Sequence, residues 1–192
     1  MRTGIKDKKI NSRSSIYSNS FTMLKKAIIS LLFLLLLSGN LLAQELQGKF
    51  ADWSVFTSDL NNKKLCYMVS LPIKKDGNYY RRGDPYFLIN NSSDNIDEIT
   101  IGSGYVYKEA SEVELSFGLK KFNAFTYESL AWANSKSDDI DIIKEMRRNL
   151  DVVVLGINKK SQYSKDTYSL IGFNQAYGKM KEVCDKYYAA SQ

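Results

Sequence analysis

The sequence predicts a mainly β protein: an antiparallel β-sandwich with one or two helices, whose C-terminal helix is joined to an early strand by a disulfide. Three observations predict this class. Short runs rich in aromatic and β-branched residues follow one another closely and are separated by Asn, Asp, Gly and Ser, a pattern typical of antiparallel strands and turns. Two longer segments repeat their apolar residues at the helical spacing. The two cysteines fall in one early run and in the last of these segments.

The first predicted strand is FADWSVFTS, in which Ala51, Trp53 and Val55 form one of two alternating faces. KLCYMVSLPI is the second strand, and two turn signals follow it, Asp76-Gly77 and Gly83-Asp84-Pro85. The remaining predicted strands are PYFLIN, DEITI, EVELSFG, NAFTYES, DVVVLGI and DTYSL.

The segment SDDIDIIKEMRRNL is predicted as the first helix, because its apolar residues share one face and Ser137 precedes it as an N-cap. Its three aspartates are interpreted as capping and dipole partners rather than as metal ligands or catalytic acids. The apolar face comprises Ile140, Ile143, Met146 (or Arg147) and Leu150, and the aspartates are Asp138, Asp139 and Asp141.

The segment GFNQAYGKMKEVCDKYY is predicted as the last helix, with Gly178 as its weakest position. Its apolar residues recur at intervals of three and four, so one cysteine of the chain faces inward with them. The stripe consists of Phe173, Ala176, Tyr177, Met180, Cys184 and Tyr187.

A secretory signal peptide is predicted over residues 1–43, with Gln44 as the first mature residue. Two lysines precede an apolar run of 11 residues, 27–37, and Ala43 supplies a small residue at the cleavage edge. The run is well short of the roughly 20 residues that a membrane-spanning helix needs, so no membrane span is expected after cleavage. The lysines lie just after Met23 and Leu24, and Met23 is an alternative true start of the chain.

The basic character of the chain belongs to this leader. The whole chain has 27 basic and 21 acidic residues, for a net charge of +6. Seven of the basic residues and one acid lie in 1–43, which leaves 20 of each in 44–192. A balanced segment gives no sign of the basic surface that nucleic-acid binding needs, and no nucleic-acid partner is expected. Residues 44–192 are predicted as a single β-sandwich-like domain.

An exported protein with two cysteines is expected to join them, because its compartment is oxidising. The sequence therefore predicts a structural disulfide between Cys66 and Cys184. Two alternatives are separate buried thiols, each acting as a small apolar side chain, and a redox-active pair. No Cys-x-x-Cys motif supports the redox alternative.

Several fragments, in the same order along the chain, resemble the invasion-associated locus B family, exported proteins of alpha-class proteobacteria. The resemblance extends from about Asp52 to Cys184. It implies a β-sandwich-like fold and a role tied to host-cell entry, and it transfers no catalytic residue. The loop NKKSQYSKDTYS departs from the family, which more often has a small, Gly-containing stretch there. The fragments are WSV at Trp53, Cys66, RRGDPYFLI, EITIGSGYVYKEASEVELSFG, LAWAN, IIKEMRRNLDVVVLG, DTYSLIGFNQAY and Cys184.

The composition argues against an enzyme. The chain has no histidine, which removes the commonest general base, the Ser-His and Cys-His nucleophiles and most zinc sites. Gly102-Ser103-Gly104 lacks the Lys-Ser/Thr of a phosphate-binding loop and is predicted as a turn. No catalytic residue, metal or cofactor is therefore expected.

The stretch GNYYRRGDPYF is the candidate recognition patch, because tyrosine and arginine are enriched where proteins bind partners. It also contains Arg82-Gly83-Asp84, a string through which adhesive proteins engage integrins. The alternative, that this string only turns the chain before a strand, is the favoured interpretation. The patch comprises Tyr79, Tyr80, Arg81, Arg82, Asp84 and Tyr86.

Three function classes remain open from the sequence. The first is a non-enzymatic interaction protein of the cell envelope or the outside, aiding host-cell contact or invasion. The second is a periplasmic binding or folding-helper module for an envelope component. The third is an envelope hydrolase that uses carboxylates or a Ser-Lys pair. The expected location is periplasmic or secreted, with outer-membrane association as a variant, and the expected partner is an unidentified protein or envelope component.

Overall fold

The computed structural model describes residues 44–60, 63–91 and 96–189, and the predicted signal peptide lies outside them. The described part contains eleven strands and two helices. In chain order they are β1 (Gln44–Phe50), β2 (Trp53–Leu60), β3 (Lys63–Ser70), β4 (Lys74–Gly77), β5 (Tyr86–Asn91), β6 (Asp97–Gly102), β7 (Glu112–Phe117), β8 (Lys120–Tyr127), β9 (Leu130–Ala133), α1 (Lys136–Met146), β10 (Asp151–Ile157), β11 (Tyr163–Ser169) and α2 (Phe173–Ala189). Neither helix is long and apolar enough to span a membrane.

The strands form one antiparallel sheet in the order β1-β2-β3-β5-β6-β9-β8-β7-β10-β11-β4. Strands far apart in this order nevertheless meet through their side chains. Trp53 on β2 donates its indole N–H to the carbonyl of Ser169 on β11 at 2.9 Å, and the Phe87 ring on β5 lies edge-on, 5.6 Å from Tyr168 on β11. The sheet therefore folds over a shared core, and the predicted antiparallel β-sandwich is confirmed as one continuous sheet.

The core consists of the alternate residues that face inward along each strand. On β7, Val113, Leu115 and Phe117 are buried, whereas Glu112 and Glu114 lie on the outer face. This is the alternation that the sequence predicts for a half-buried strand. Other large, fully buried side chains are Trp53, Met68, Phe87, Ile89, Ile99, Tyr168 and Phe173.

Two of the predicted strand boundaries are wrong. The run FADWSVFTS is interrupted at Ala51, which has a φ of 48° and turns the chain between β1 and β2. Asp76-Gly77, predicted as a turn, lies in β4 and pairs with Ser164 and Lys165 of β11. At Asp76-Gly77, pairing with a strand distant in the sequence decides the local conformation over turn propensity, whereas Ala51 lies in the short turn of the β1–β2 hairpin.

Helix α1 begins two residues earlier than the sequence suggests. The N-cap is Ser135 rather than Ser137, and its hydroxyl accepts the backbone N–H of Asp138 at 3.2 Å. The aspartates that follow are compatible with either start, because negative charge is favourable anywhere in the first helical turn. The sequence therefore located the helix but not its cap.

The buried face of α1 also differs from the predicted one. Ile143 and Met146 are buried as expected, and Ile142 joins them. Ile140 is 55 % exposed, and Leu150, at 79 % exposure, lies beyond the end of the helix. The tertiary contacts of the helix, rather than its own periodicity, set which face is buried.

Helix α2 buries the face that the sequence predicts: Phe173, Ala176, Met180 and Cys184. It lies across β1, β2 and β3, and the Phe173 ring packs edge-on against Trp53 at 5.1 Å. The predicted disulfide between Cys66 on β3 and Cys184 is present. The last helix is thus joined covalently to an early strand, as expected for an exported domain.

Candidate functional site

The predicted recognition patch lies on the segment 78–85, which connects β4 to β5. β4 is at one edge of the sheet, and β5 is far from it in the strand order. The segment therefore has to cross between the two halves of the folded sheet. Its conformation depends on the residues that contact it between these two strands.

Arg82 holds the segment from inside. Its side chain is only 3 % exposed and forms a two-pronged ion pair with Asp166 of β11, whose side chain is 4 % exposed. Nη1 donates to Asp166 Oδ2 at 2.7 Å and to the Ser103 carbonyl at 3.2 Å, while Nη2 donates to Asp166 Oδ1. This fork-to-carboxylate geometry is the strong form of the arginine–carboxylate pair.

The electrostatics of Arg82 reflect two opposing effects. Burial lowers the pKa of the guanidinium, but the hydrogen bonds and charge of Asp166 outweigh burial and raise that pKa above its ordinary value. The Tyr79 ring lies 4.5 Å from the guanidinium carbon, on its face, and adds a cation–π contact. The buried Arg82 side chain and the half-buried Tyr79 ring therefore support the segment from its inner side.

The predicted Gly102-Ser103-Gly104 turn secures the other side of the segment. Gly83 donates its N–H to the Gly104 carbonyl at 2.8 Å. Gly104 has a φ of 74°, and a Cβ there would collide with the Gly83 carbonyl. Glycine at 104 is thus required both by its backbone conformation and by the close approach of the two chains.

The rest of the predicted patch divides into exposed and covered residues. Tyr80 is 87 % exposed, and the guanidinium carbon of Arg81 lies 5.7 Å from its ring centroid. Asp84 is also exposed, whereas Tyr86 lies over Gly102 on the outer face of the sheet. Since Arg82 is buried while Asp84 is exposed, the Arg-Gly-Asp string does not present both of its charges, and its role as a turn is favoured.

A second loop, 158–162, faces the exposed residues of the segment. The side-chain oxygen of Asn158 accepts the N–H groups of Lys160 and Gln162 at 2.9 and 3.0 Å. Gln162 in turn donates its side-chain N–H to the Asn78 carbonyl at 3.2 Å. This is the loop in which the sequence departs from the family that it resembles, and it is tied to the segment that carries Tyr80.

Between segment and loop lies a groove of about 330 Å³, the basic groove. Of the residues that line it, Arg81, Lys159 and Lys160 are basic and none is acidic. One wall is Tyr105, whose hydroxyl is 2.7 Å from that of Ser164 and whose pKa is raised by burial. The lining residues are Tyr80, Arg81, Tyr105, Val106, Asn158, Lys159, Lys160 and Gln162.

Sequence reasoning found Tyr80 and Arg81 but missed Tyr105, Lys159 and Lys160. These residues are far from the patch along the chain, and only strand pairing brings them to it. The departure of the Lys159-Lys160 loop from the family pattern was the one signal in the sequence that pointed to this place.

A second groove, of about 460 Å³, opens beside β8, β9 and the start of α1; it is the aromatic groove. Its most perturbed group is Asp139, which is 6 % exposed and accepts the Ile99 N–H at 2.9 Å. Burial, which the Ile99 hydrogen bond only partly offsets, raises the pKa of Asp139 to about 6. The lining residues are Glu98, Phe125, Tyr127, Trp132, Ala133, Ser135, Lys136 and Asp139.

Asp139 was predicted from the sequence as a helix-capping charge, and it does lie in the first turn of α1. In the structure, Asp139 also accepts a hydrogen bond from the backbone of β6. The described residues contain no group of three or more Cys, Asp or Glu side chains that could hold a metal ion.

The sequence matches no family model, and no curated protein is significantly similar to it. A solved structure does match, that of invasion associated protein B from Bartonella henselae, with a TM-score of 0.53 and 11 % sequence identity. The match covers 73 % of this chain and 97 % of that one. The two proteins share a fold. That fold is the one implied by the resemblance of the sequence fragments.

Proposed function

We propose that the protein is a non-enzymatic interaction protein, exported to the periplasm or secreted, that binds an acidic partner in the basic groove. The observation that carries the proposal is the composition of this groove. Three cationic side chains and two tyrosines line it without an acidic residue, although residues 44–192 as a whole are balanced in charge. Such a concentration of one sign attracts partners of the opposite sign.

The rigidity of the groove supports a binding role. One wall is fixed by the buried Arg82–Asp166 pair, and the other by the hydrogen bonds of Asn158 and Gln162. A site whose walls are ordered before binding loses less conformational entropy when the partner arrives. Tyr80 and Arg81, which project from the first wall, are residue types that commonly contribute most of the energy of an interface.

Export is supported by the disulfide between Cys66 and Cys184, since such bonds persist in oxidising compartments. It is supported as well by the signal-peptide pattern over residues 1–43. The fold shared with invasion associated protein B, together with the sequence fragments, supports membership of the invasion-associated locus B family. Within that family the acidic partner would belong to the surface of a host cell.

The two alternatives are weaker but distinguishable. A periplasmic binding or folding-helper module would use the same basic groove, and its partner would come from the bacterial envelope instead of a host cell. A hydrolase would use Asp139 as its acid or a Ser-Lys pair, but the Ser135 hydroxyl in that groove is the N-cap of α1, and the chain has no histidine to act as a base. The interaction protein therefore remains the best-supported function.

Charge reversal tests the groove. The triple variant Arg81→Glu, Lys159→Glu, Lys160→Glu is compared with wild type for binding to immobilised poly-glutamate, to host-cell surface fractions and to envelope fractions. The expected result is a loss of at least tenfold in affinity for the acidic probe and for one of the two fractions. The control is Lys49→Glu, an exposed position on β1 outside the groove, which should bind as wild type.

Two results would overturn the proposal. A folded triple variant that binds like wild type would remove the basic groove as the site. Intact mass of the protein from cells that shows residues 27–37 retained would remove export. Retention by the envelope fraction alone would favour the periplasmic module.

A further inference from the structure

The aromatic groove carries a platform of exposed aromatic side chains on the outer face of the sheet. Phe125 on β8 lies directly opposite Trp132 on β9. Their rings are stacked, with centroids 5.5 Å apart and planes at 26°. Phe125 is 45 % exposed, and Tyr127, two residues further along the same face of β8, is 67 % exposed. Aromatic surface left open in this way commonly marks a binding site.

A buried carboxylate closes one end of the platform. The hydrogen bond to Ile99 explains why a polar side chain is present at 139, because the pairing of β6 with β9 stops at Thr100 and leaves the Ile99 N–H without a strand partner. An uncharged acceptor such as asparagine would serve that purpose equally well. The hydrogen bond therefore does not explain why the side chain is an acid.

The surroundings of Asp139 make its charge costly. The neighbouring charges that act on it belong to Glu98, Asp138 and Asp97, and all of them are acidic. Lys136 also lines the groove and is exposed. Beyond the Ile99 hydrogen bond and the N-terminal end of α1, a nearly buried carboxylate among like charges is stabilised by protonation or by a cation that enters from outside.

We propose that the aromatic groove binds a cationic side chain, arginine or lysine, from a partner polypeptide. The cation would lie over the Phe125–Trp132 platform, where the faces of the rings attract positive charge, and would meet the carboxylates of Asp139 and Glu98 at the end of the groove. The occupant is a basic segment because no cationic side chain of the described residues forms an ion pair with Asp139 or Glu98, and exposed aromatic rings line the groove beside them. This goes beyond the function proposed above, which concerns an acidic partner in the other groove.

Trp132 reports binding directly. The chain has two tryptophans, and Trp53 is fully buried in the core, so a change in the indole NMR signal of Trp132 identifies this groove. The probes are the end-blocked peptide Gly-Arg-Gly, the same peptide with uncharged citrulline in place of arginine, and the neutral sugar maltotriose. The expected result is a saturable shift with the arginine peptide that weakens as salt is added, and at least tenfold weaker binding of the other two probes.

Variants distinguish the contribution of the carboxylates to binding from their contribution to folding. Asp139→Asn keeps the acceptor for Ile99, and Glu98→Gln changes an exposed residue, so each is expected to weaken the arginine peptide at least fivefold while the protein stays folded. Glu109→Gln, an exposed position that does not line the groove, should bind as wild type. If Asp139→Asn fails to fold, Glu98→Gln and Trp132→Leu carry the same test.

Three outcomes would overturn the inference: equal binding of the arginine and citrulline peptides, preferential binding of maltotriose, or no response of Trp132 to any probe. The first two would assign the groove to uncharged ligands. A carboxyl NMR titration gives an independent readout, because a bound cation should lower the pKa of Asp139 from about 6.

Discussion

Two of the long-range connections in the described part of this domain are chemically unlike. At one, the disulfide joins Cys66 and Cys184, 118 residues apart, in apolar surroundings. At the other, Arg82 and Asp166, 84 residues apart, form a buried ion pair. The disulfide attaches the last helix to a sheet that is already paired on both sides of β3. The ion pair positions an irregular segment that belongs to no strand.

The two connections contribute differently to the folded protein. A disulfide stabilises mainly by restricting the unfolded chain, so it adds stability without specifying a surface. A buried ion pair gains little over apolar packing, because both charges lose their water, but losing one partner leaves the other charge buried and alone. The disulfide therefore contributes stability, and the ion pair fixes the wall of the basic groove.

The largest expected effect is that of Arg82→Ala. It should lower the free energy of unfolding by about 3–5 kcal/mol, because the Asp166 carboxyl group would be left buried without its partner. Urea denaturation measures the loss. Binding to the basic groove should fall as well, since the segment would lose its anchor.

The matched control is the neighbouring Arg81→Ala. This exposed side chain should change stability by no more than about 0.5 kcal/mol. The double variant Arg82→Met, Asp166→Leu should recover most of the stability lost in Arg82→Ala, because it removes both charges. An Arg82→Ala protein as stable as Arg81→Ala would refute the buried-pair interpretation.

Cys66→Ser comes next, with an expected loss of about 2–5 kcal/mol. At about 2–4 °C per kcal/mol for a chain of this size, the melting temperature should fall by about 4–20 °C. The double variant Cys66→Ser, Cys184→Ser should lose the same amount, because each change breaks the same bond. Unlike Arg82→Ala, these variants should keep the basic groove intact when assayed below their melting temperatures. Two free thiols in the unfolded, unreduced wild-type protein would contradict the presence of the disulfide.

The smallest expected effect is a pH dependence of the stability that arises from Asp139, which belongs to neither connection. The pKa of Asp139 is about 6 in the folded protein, above the ordinary 3.8, so the folded state binds a proton more tightly than the unfolded chain. The contribution of Asp139 to stability is therefore greatest below about pH 4 and falls as the pH rises to about 6, at up to about 1.4 kcal/mol per pH unit. Asp139→Asn should remove this slope in urea denaturation between pH 4 and 7, and an unchanged slope would show that Asp139 titrates normally.

Local patterns predicted much of the fold. The alternation in β7 and the helical stripe of α2 appear in the structure as the sequence indicates, because each expresses a simple period of one element against one core. The N-cap of α1, its buried face and strand β4 were missed. In each of these cases a distant element decides: β6 requires an acceptor at Asp139, and β11 supplies the partner of β4.

The candidate site was half predictable. Tyr80 and Arg81 stand out by residue type, and both are exposed in a groove. Arg82 carries the same residue-type signal but is buried, because Asp166 attracts it inward. Residue type cannot tell which of the two adjacent arginines is buried. Arg82 is buried because it pairs with Asp166, which lies 84 residues away along the chain.

By itself, the sequence determined the β-rich class, the covalent link between the last helix and an early strand, and the absence of histidine chemistry. These follow from short-range periodicity and from counts, and two cysteines can pair with each other in only one way. The tertiary structure alone decided which of many possible ion pairs is buried and which charges gather in each groove. A single arginine among 27 basic residues has many possible partners, and only the folding of the sheet over its core brings one of them within hydrogen-bonding distance while excluding water.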